Sequence, residues 1–511
     1  MVILANKKST RSSTPRVKTG CKTCRKRHIK CDEAKPSCLK CAQAGWTCDG
    51  YETHGSMTEA SANSKAKPTL NSPEPVLAIS SYAIPFRIPG SQSDRQIFHY
   101  FCVQGSYEVA GPIDSGFWTK TVLQECHQEP VVLKALISLG SLHLDYFTET
   151  SSESITRRDT ALVSYGKALR ALHKLVHKPH PGSLKATLVC CIIFFCFEAT
   201  LGNSEAAMRH LESGLKLLSS YHSLHRDEEM EDLRPIVQMF QRLDLQATLF
   251  DDDRIPFLDM TARPKLDSAS PPSVFSNIDD ACQGLVILQH WLFMFLTKNI
   301  PYKFLAEEKI PGQVSEEKVQ LSKQFRLWLK VFEKSPFQVY HNDQTTWATK
   351  TLLLKWRVSW MLLEADYPTN EAVFGACPNR EAEDILALAS DVLQHSLSPK
   401  AASEVPASTR RTFCSDTTVV APLFLLAMKC ADESICLRAA TMLQLCRRRE
   451  GLYDSNSMAA VVHHLRAVKA NDMLESGLEF IIDSENIALE RLREGALNRR
   501  FGGMDRIIEF V

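Results

Sequence analysis

Cys21-Lys22-Thr23-Cys24, then Cys31, then Cys38-Leu39-Lys40-Cys41, then Cys48 is the stretch on which the reading of this chain rests. Six cysteines fall at spacings of two, six, six, two and six residues. The pattern Cys-x2-Cys-x6-Cys therefore occurs twice, joined by a six-residue loop that carries Pro36. Thiolates this close in sequence converge on a soft, tetrahedral cation, and zinc is the default. Two tetrahedral ions need about eight sulfur bonds from six sulfurs, so two sulfurs must bridge. The repeat makes the first cysteine of each half, Cys21 and Cys38, the natural bridging pair. Six thiolates against two divalent ions leave net negative charge, which nearby cations would offset.

Those cations are lopsided. The first half carries Lys22, Arg25, Lys26, Arg27 and Lys30; between its own cysteines the second half carries only Lys40. A helix N-terminus favours thiolate charge, so each Cys-x2-Cys is expected to open a short helix. The cationic helix, placed over Lys22 to Lys30, is the one expected to meet phosphates.

The run from Cys21 to Cys41, with Arg25, Lys26, Arg27, His28 and Lys30 inside it and Pro36 in its loop, resembles the fungal six-cysteine binuclear zinc cluster transcription factors. The resemblance implies two zinc ions held by Cys21, Cys24, Cys31, Cys38, Cys41 and Cys48. It implies a helix that enters the DNA major groove and reads a CGG-type triplet from near its C-terminal end, here Arg27 and His28. Many members carry lysine where this chain has His28; an imidazole N–H still donates to guanine N7 or O6. Three blander readings stand beside it. A disulfide framework requires an exported chain. A zinc module can bind protein alone, which the basic half argues against. The basic run can serve as a nuclear import signal, alone or together with DNA binding.

The chain has 511 residues, 44% hydrophobic and 23% charged, as in a globular protein. Its net charge of +1 conceals an asymmetry: residues 1–50 hold 12 Lys and Arg against 3 Asp and Glu, leaving the rest acidic. A basic head on a mildly acidic body fits a nucleic-acid-binding module attached to something else. The remaining 11 cysteines are scattered, which suggests a reducing compartment. No signal peptide is expected from Met1 to Lys8. The longest apolar run, Leu188 to Phe197, has half the length of a membrane span, roughly 20 residues, and is read as a buried core helix.

Residues 1–20 are expected to be a disordered basic tail, 21–48 the zinc module, and 49–92 a flexible linker with Pro68, Pro73, Pro75, Pro85 and Pro89. The zinc module holds too few apolar residues (Ile29, Leu39, Trp46) to fold without metal. Heptads that would form a coiled-coil dimer do not follow it. Residues 93–511 read as one large all-α domain. Ser93-Asp94 is the expected cap of its first helix. Leu162, Tyr165, Leu169, Leu172 and Val176 form a stripe, as do Met208, Leu211, Leu215 and Leu218 after Ser204, and Ile385, Leu388, Val392 and Leu393. Leu184 to Leu201 is apolar nearly all round. Residues 263–280 and 396–416 read as loops.

Tyr165, Cys196, Glu198, Gly202, His210 and Gly214, with Phe240, Arg242, Asp244 and Gln246 later, resemble the fungal-specific regulatory helical domain that follows such clusters. That resemblance implies a dimerising or effector-sensing body. Glu198, Arg242 and Asp244, set among apolar residues, are expected to be buried polar contacts tying helices together. Acidic runs at Asp227 to Asp232 and Asp251 to Asp253 read as solvated helix ends rather than activation surfaces. His463-His464 reads as a surface pair. No nucleophile elbow, zinc-protease helix or phosphate-binding glycine loop is present, so no enzyme is expected.

The sequence thus predicts a mainly-α nuclear transcription regulator. Lys22, Arg25, Lys26 and Lys30 would position the head on phosphates, and Arg27 and His28 would read bases. Its expected partners are double-stranded DNA, a second copy through the helical body, and the transcription machinery, with no membrane. A metabolic or secondary-metabolite gene cluster is the expected target by resemblance. The rival is a nuclear adaptor whose zinc head binds protein.

Overall fold

The computed structural model describes residues 20–50, 89–113, 116–147, 153–222, 232–250, 254–258, 274–302, 307–338, 343–365, 371–396 and 411–476. The chain divides into two units, residues 1–85 and 86–511. All but the last residue of the expected tail, most of the expected linker, Asp251 to Asp253, and all but the last residue of the run Asp227 to Asp232 lie outside the described residues.

The first unit contains two five-residue helices, α1 (Lys22–Lys26) and α2 (Leu39–Gln43). Cys21 and Cys38 cap them: each Sγ accepts the amide of the cysteine three residues on, at 3.4 Å. α1 is shorter than the expected Lys22 to Lys30. It stops because His28 adopts a left-handed conformation, φ 55°. The His28 amide donates to the Arg25 carbonyl at 3.2 Å and the Ile29 amide to Cys24 at 3.2 Å, a Schellman closure. This turn sends the chain back toward the cysteines. α2 ends the same way, with Gly45 at φ 67° and the Trp46 amide on the Cys41 carbonyl at 3.0 Å.

The second unit is mainly helical, as expected, and builds two hydrophobic cores. The first gathers residues from Phe98 to Ala247 with Phe413 and Leu452. Its centre is the helix Ser183–Leu201, whose residues from Leu188 to Thr200 are all buried. That helix is long and apolar enough to cross a membrane, but 78% of its apolar window is covered by protein, as in a core helix. Gly202 ends it at φ 85°, and Arg449 Nη1 donates to the Ala199 carbonyl at 2.8 Å, setting a cation on the negative helix end. The helix Ser204–His222 lies alongside and buries Met208, Leu211, Leu215 and Leu218 as expected. Gly214 is required there because a Cβ would run into the Phe240 ring. The second core gathers the helices Ile278–Lys298, Gly312–Glu333, Asp343–Ala365, Arg380–Ser396, Val420–Lys429 and Glu433–Cys446.

Several local expectations need correction. Ser91, not Ser93, caps the first helix of this unit, in a reciprocal capping box with Asp94. Asn203, not Ser204, accepts the Ala206 amide at 3.2 Å. In the helix Glu153–His177 the buried stripe is Ala161, Tyr165 and Ala168, while Leu162 and Val176 are 40% and 54% exposed. The small alanines let this helix pack closely on Pro130–Phe147. Residues 412–414, expected to be loop, form a strand. β1 (Thr412–Cys414) pairs parallel with β2 (Arg448–Glu450), which pairs antiparallel with β3 (Tyr453–Asp454). Strands of two or three residues are too short to show a period in sequence.

Candidate metal centre and nucleic-acid interface

The six cysteines of the head form two four-sulfur sets. Cys21, Cys24, Cys31 and Cys38 make one, and Cys21, Cys38, Cys41 and Cys48 the other, with the sulfurs of each set within 4.8 Å of one another. Cys21 and Cys38 are common to both. Their Sγ atoms lie 3.6 Å apart, and the Cys24–Cys38 and Cys21–Cys41 pairs are at 3.6 and 3.9 Å. Tetrahedral zinc with Zn–S bonds of about 2.3 Å sets sulfur–sulfur edges of about 3.8 Å. The donor set therefore fits two zinc ions bridged by Cys21 and Cys38. None of the 17 cysteines forms a disulfide.

The second coordination layer repeats with the first. The amides of Cys21 and Cys38 donate to Cys31 and Cys48 Sγ, each at 3.5 Å. The Glu33 amide donates to Cys31 Sγ at 3.4 Å, from a left-handed φ of 61°. Gly50, at φ 72°, supplies the matching amide to Cys48. Such N–H donors hold thiolate charge and fix sulfur orientation. Burial, with neighbouring thiols adding to it, pushes the Cys21 and Cys38 thiols up. Thr23 closes the module, donating to the Thr47 carbonyl and accepting the Asp49 amide, both at 3.0 Å.

Around this centre Lys22, Lys26, His28 and Lys30 are exposed, and Arg25 and Arg27 half-buried. The Arg27 guanidinium lies over the Trp46 ring, 5.0 Å from its centroid, and its Nη1 is buried without a hydrogen-bond partner. The sequence marks Trp46 only as a scarce apolar residue, and the charge pattern singles out Arg27 without it. It also missed Asp32, whose carboxylate accepts the Leu39 and Lys40 amides at 3.0 and 3.2 Å and so caps α2. Burial disfavours the Asp32 carboxylate, but these amides outweigh it and hold the group below its ordinary range.

The second unit brings together the residues expected to be buried polar contacts. Asp244 is fully buried, 2.6 Å from Arg254, and accepts the Phe257 and Leu258 amides at 2.8 and 2.9 Å. Asp416 accepts Lys355 Nζ at 2.9 Å and lies 3.7 Å from Arg242. Burial disfavours the Asp416 carboxylate, but Lys355 and then Arg242 hold it below its usual value. Tyr165, Glu198 and His210 also converge: Tyr165 Oη is 2.8 Å from His210 Nε2, and its ring stacks on Phe197 at 4.2 Å. Burial and then Glu198 keep the Tyr165 hydroxyl protonated. Tyr165 and His210 tie two helices together, whereas Asp244 and Arg242 fasten their helix to the non-helical stretches that carry Arg254 and Asp416.

Residues 19–55 match the fungal Zn(2)-Cys(6) binuclear cluster domain, and residues 96–285 the fungal specific transcription factor domain. The chain therefore carries a zinc-cluster domain and a regulatory helical domain of the kinds found in fungal transcription regulators, and two zinc ions are the cofactors of the cluster domain. It is 25% identical to the aspercryptin biosynthesis cluster-specific transcription regulator of Emericella nidulans over 399 residues, 74% of this chain and 64% of the relative. It is 28% identical to a transcription regulator of Purpureocillium lilacinum over 217 residues, 41% of this chain and 51% of the relative. White-opaque regulator 2 of Candida albicans is 57% identical over 37 residues, 7% of this chain and 8% of the relative. The chain thus spans less than two thirds of the length of these relatives. No solved structure matches it.

Proposed function

We propose that the chain is a nuclear, sequence-specific DNA-binding regulator of transcription that reads CGG-type triplets through its zinc-folded head. The observation that carries this is His28. The two halves of the head are a repeat, and Gly45 occupies in the second half the left-handed position that His28 occupies in the first. A non-glycine residue there costs about 1–2 kcal/mol. Where only the turn matters the chain uses glycine; on the cationic half it keeps an exposed imidazole. Strain retained at one exposed side chain points to a role for that side chain.

In this reading zinc supplies the folding energy of the head. Lys22, Arg25, Lys26 and Lys30 set it on phosphates, and Arg27 and His28 reach base edges in the major groove. The helical body acts through dimerisation, effectors or the transcription machinery, without enzymatic activity or membrane attachment. The aspercryptin-cluster relative supports a biosynthetic gene cluster as the target.

Fluorescence anisotropy of the full chain on a CGG-containing duplex tests the proposal. About four phosphate contacts give a log–log salt slope of about −3 to −4 per head. Binding should vanish on chelation and return with zinc. Binding indifferent to salt and to the triplet would overturn the proposal and favour the adaptor.

A further inference from the structure

A groove in the helical body has the chemistry of an anion site. It measures about 820 Å³, within the range of small-molecule sites, about 300–1,000 Å³. Its floor is Ala459 and Ala460 of the helix Ser455–Ser476. Asn456 and His463 stand on the same helical face, at i and i+7, with His464 beside them. Opposite, Gln444 projects from the end of the helix Glu433–Cys446, and Arg447 follows it. Arg411, entering β1, completes the rim.

Two features separate this groove from an ordinary solvated basic face. First, no carboxylate lines it among the described residues. The carboxylates nearest in sequence to its rim are occupied: Glu450 by Arg448 at 2.7 Å and by the amides of Thr418, Val419 and Val420, and Asp454 by Arg449 at 3.2 Å and by Ser457. Second, its cations are placed by backbone and ring contacts. Arg447 takes a left-handed φ of 44°, and its carbonyl accepts the Thr412 amide at 3.3 Å, tying the two sides of the rim. The Arg411 guanidinium rests over the Tyr146 ring, 5.8 Å from its centroid. Alanines and polar or cationic donors line it, at a volume that suits a compact ligand.

We propose that this groove binds a small organic anion carrying two or more negative groups, carboxylate or phosphomonoester. Arg447 and Arg411 neutralise it, and Asn456, Gln444, His463 and His464 orient it. Neither the family matches nor the head's DNA contacts assign these residues.

The test is thermal denaturation of the zinc-loaded full chain against citrate, succinate and inorganic phosphate, with sodium chloride matched for ionic strength and glucose as the neutral control. Saturable stabilisation by at least one of the three anions is expected, weakened at least five-fold in Arg447→Asn and His463→Gln. Asn tolerates the left-handed backbone, so the first variant keeps the turn. The rank order of carboxylates against phosphate identifies the headgroup. No saturable shift, or one equal in wild type and both variants, overturns the proposal. So does weaker duplex binding by the variants in the absence of any anion effect, which would make the groove a DNA-backbone contact. Unchanged duplex binding in the variants separates this inference from the reading of the head.

Discussion

The Arg27 guanidinium sits over the indole of Trp46, 5.0 Å from the ring centroid, while the ring itself stays 57% exposed. The two residues come from equivalent ends of the two repeats, so the non-cationic half shapes the cationic one. A cation–π pair at an exposed site contributes about 0.5–1 kcal/mol. Trp46→Ala is therefore expected to weaken duplex binding about two- to five-fold, with zinc content unchanged and Trp46→Phe largely restoring affinity. Arg27→Ala should lose more, about 1–3 kcal/mol, and relax triplet preference. Trp46→Ala binding as tightly as wild type in a titration would remove the positioning role.

His28→Gly should separate stability from function. Relief of the left-handed strain stabilises the metal-loaded head by up to about 1 kcal/mol, read as greater resistance to chelator. Loss of the imidazole weakens discrimination between CGG and mutated triplets. A glycine variant that discriminates as well as wild type would show that His28 does not read bases.

Shared sulfurs make zinc stoichiometry diagnostic. Cys21→Ser removes a ligand from both four-sulfur sets, whereas Cys48→Ser removes one from a single set. Native mass spectrometry of the reduced protein should find two zinc ions in wild type, mostly one in Cys48→Ser and mostly none in Cys21→Ser. Equal loss in both variants would contradict the bridging assignment.

Asp416→Asn leaves Lys355 and Arg242 buried without their counter-charge, at a cost of about 3–5 kcal/mol. A large fall in melting temperature is expected, and replacing Asp416, Lys355 and Arg242 together by Leu, Met and Met should recover much of it. A single variant as stable as wild type would mean that the ion pair is solvated.

His210 supplies a pH test. Burial, with Arg209 adding to it, lowers its pKa to about 4 from an ordinary 6.5. The unfolded chain then binds the extra proton first. The stabilising contribution is complete above about pH 6.5 and is lost as pH falls toward 4, by a few kcal/mol at most. His210→Gln should flatten the melting-temperature profile between pH 6.5 and 4. A profile unchanged by the substitution would argue that the imidazole is solvated.

The paired cysteine sets and the helical body were legible because each rests on short-range regularity. A cysteine two or six residues from the next can reach the same ion whatever the rest of the chain does, and a 3.6-residue period reports a buried face directly. The end of α1 was less legible: nothing in the composition around His28 marks a left-handed turn, and only its equivalence to Gly45 in the folded repeat makes the reason visible.

From sequence alone came a basic head with two repeated cysteine sets and a helical body, because spacing and periodicity are local properties of the chain. Only the tertiary structure decided that Asp416 answers Arg242 and Lys355, that residues 412–414 pair with 448–450, and that Arg411, Arg447 and His463 share one rim. Those partners lie far apart along the chain, and burial of two hydrophobic cores, not any local pattern, brings them together.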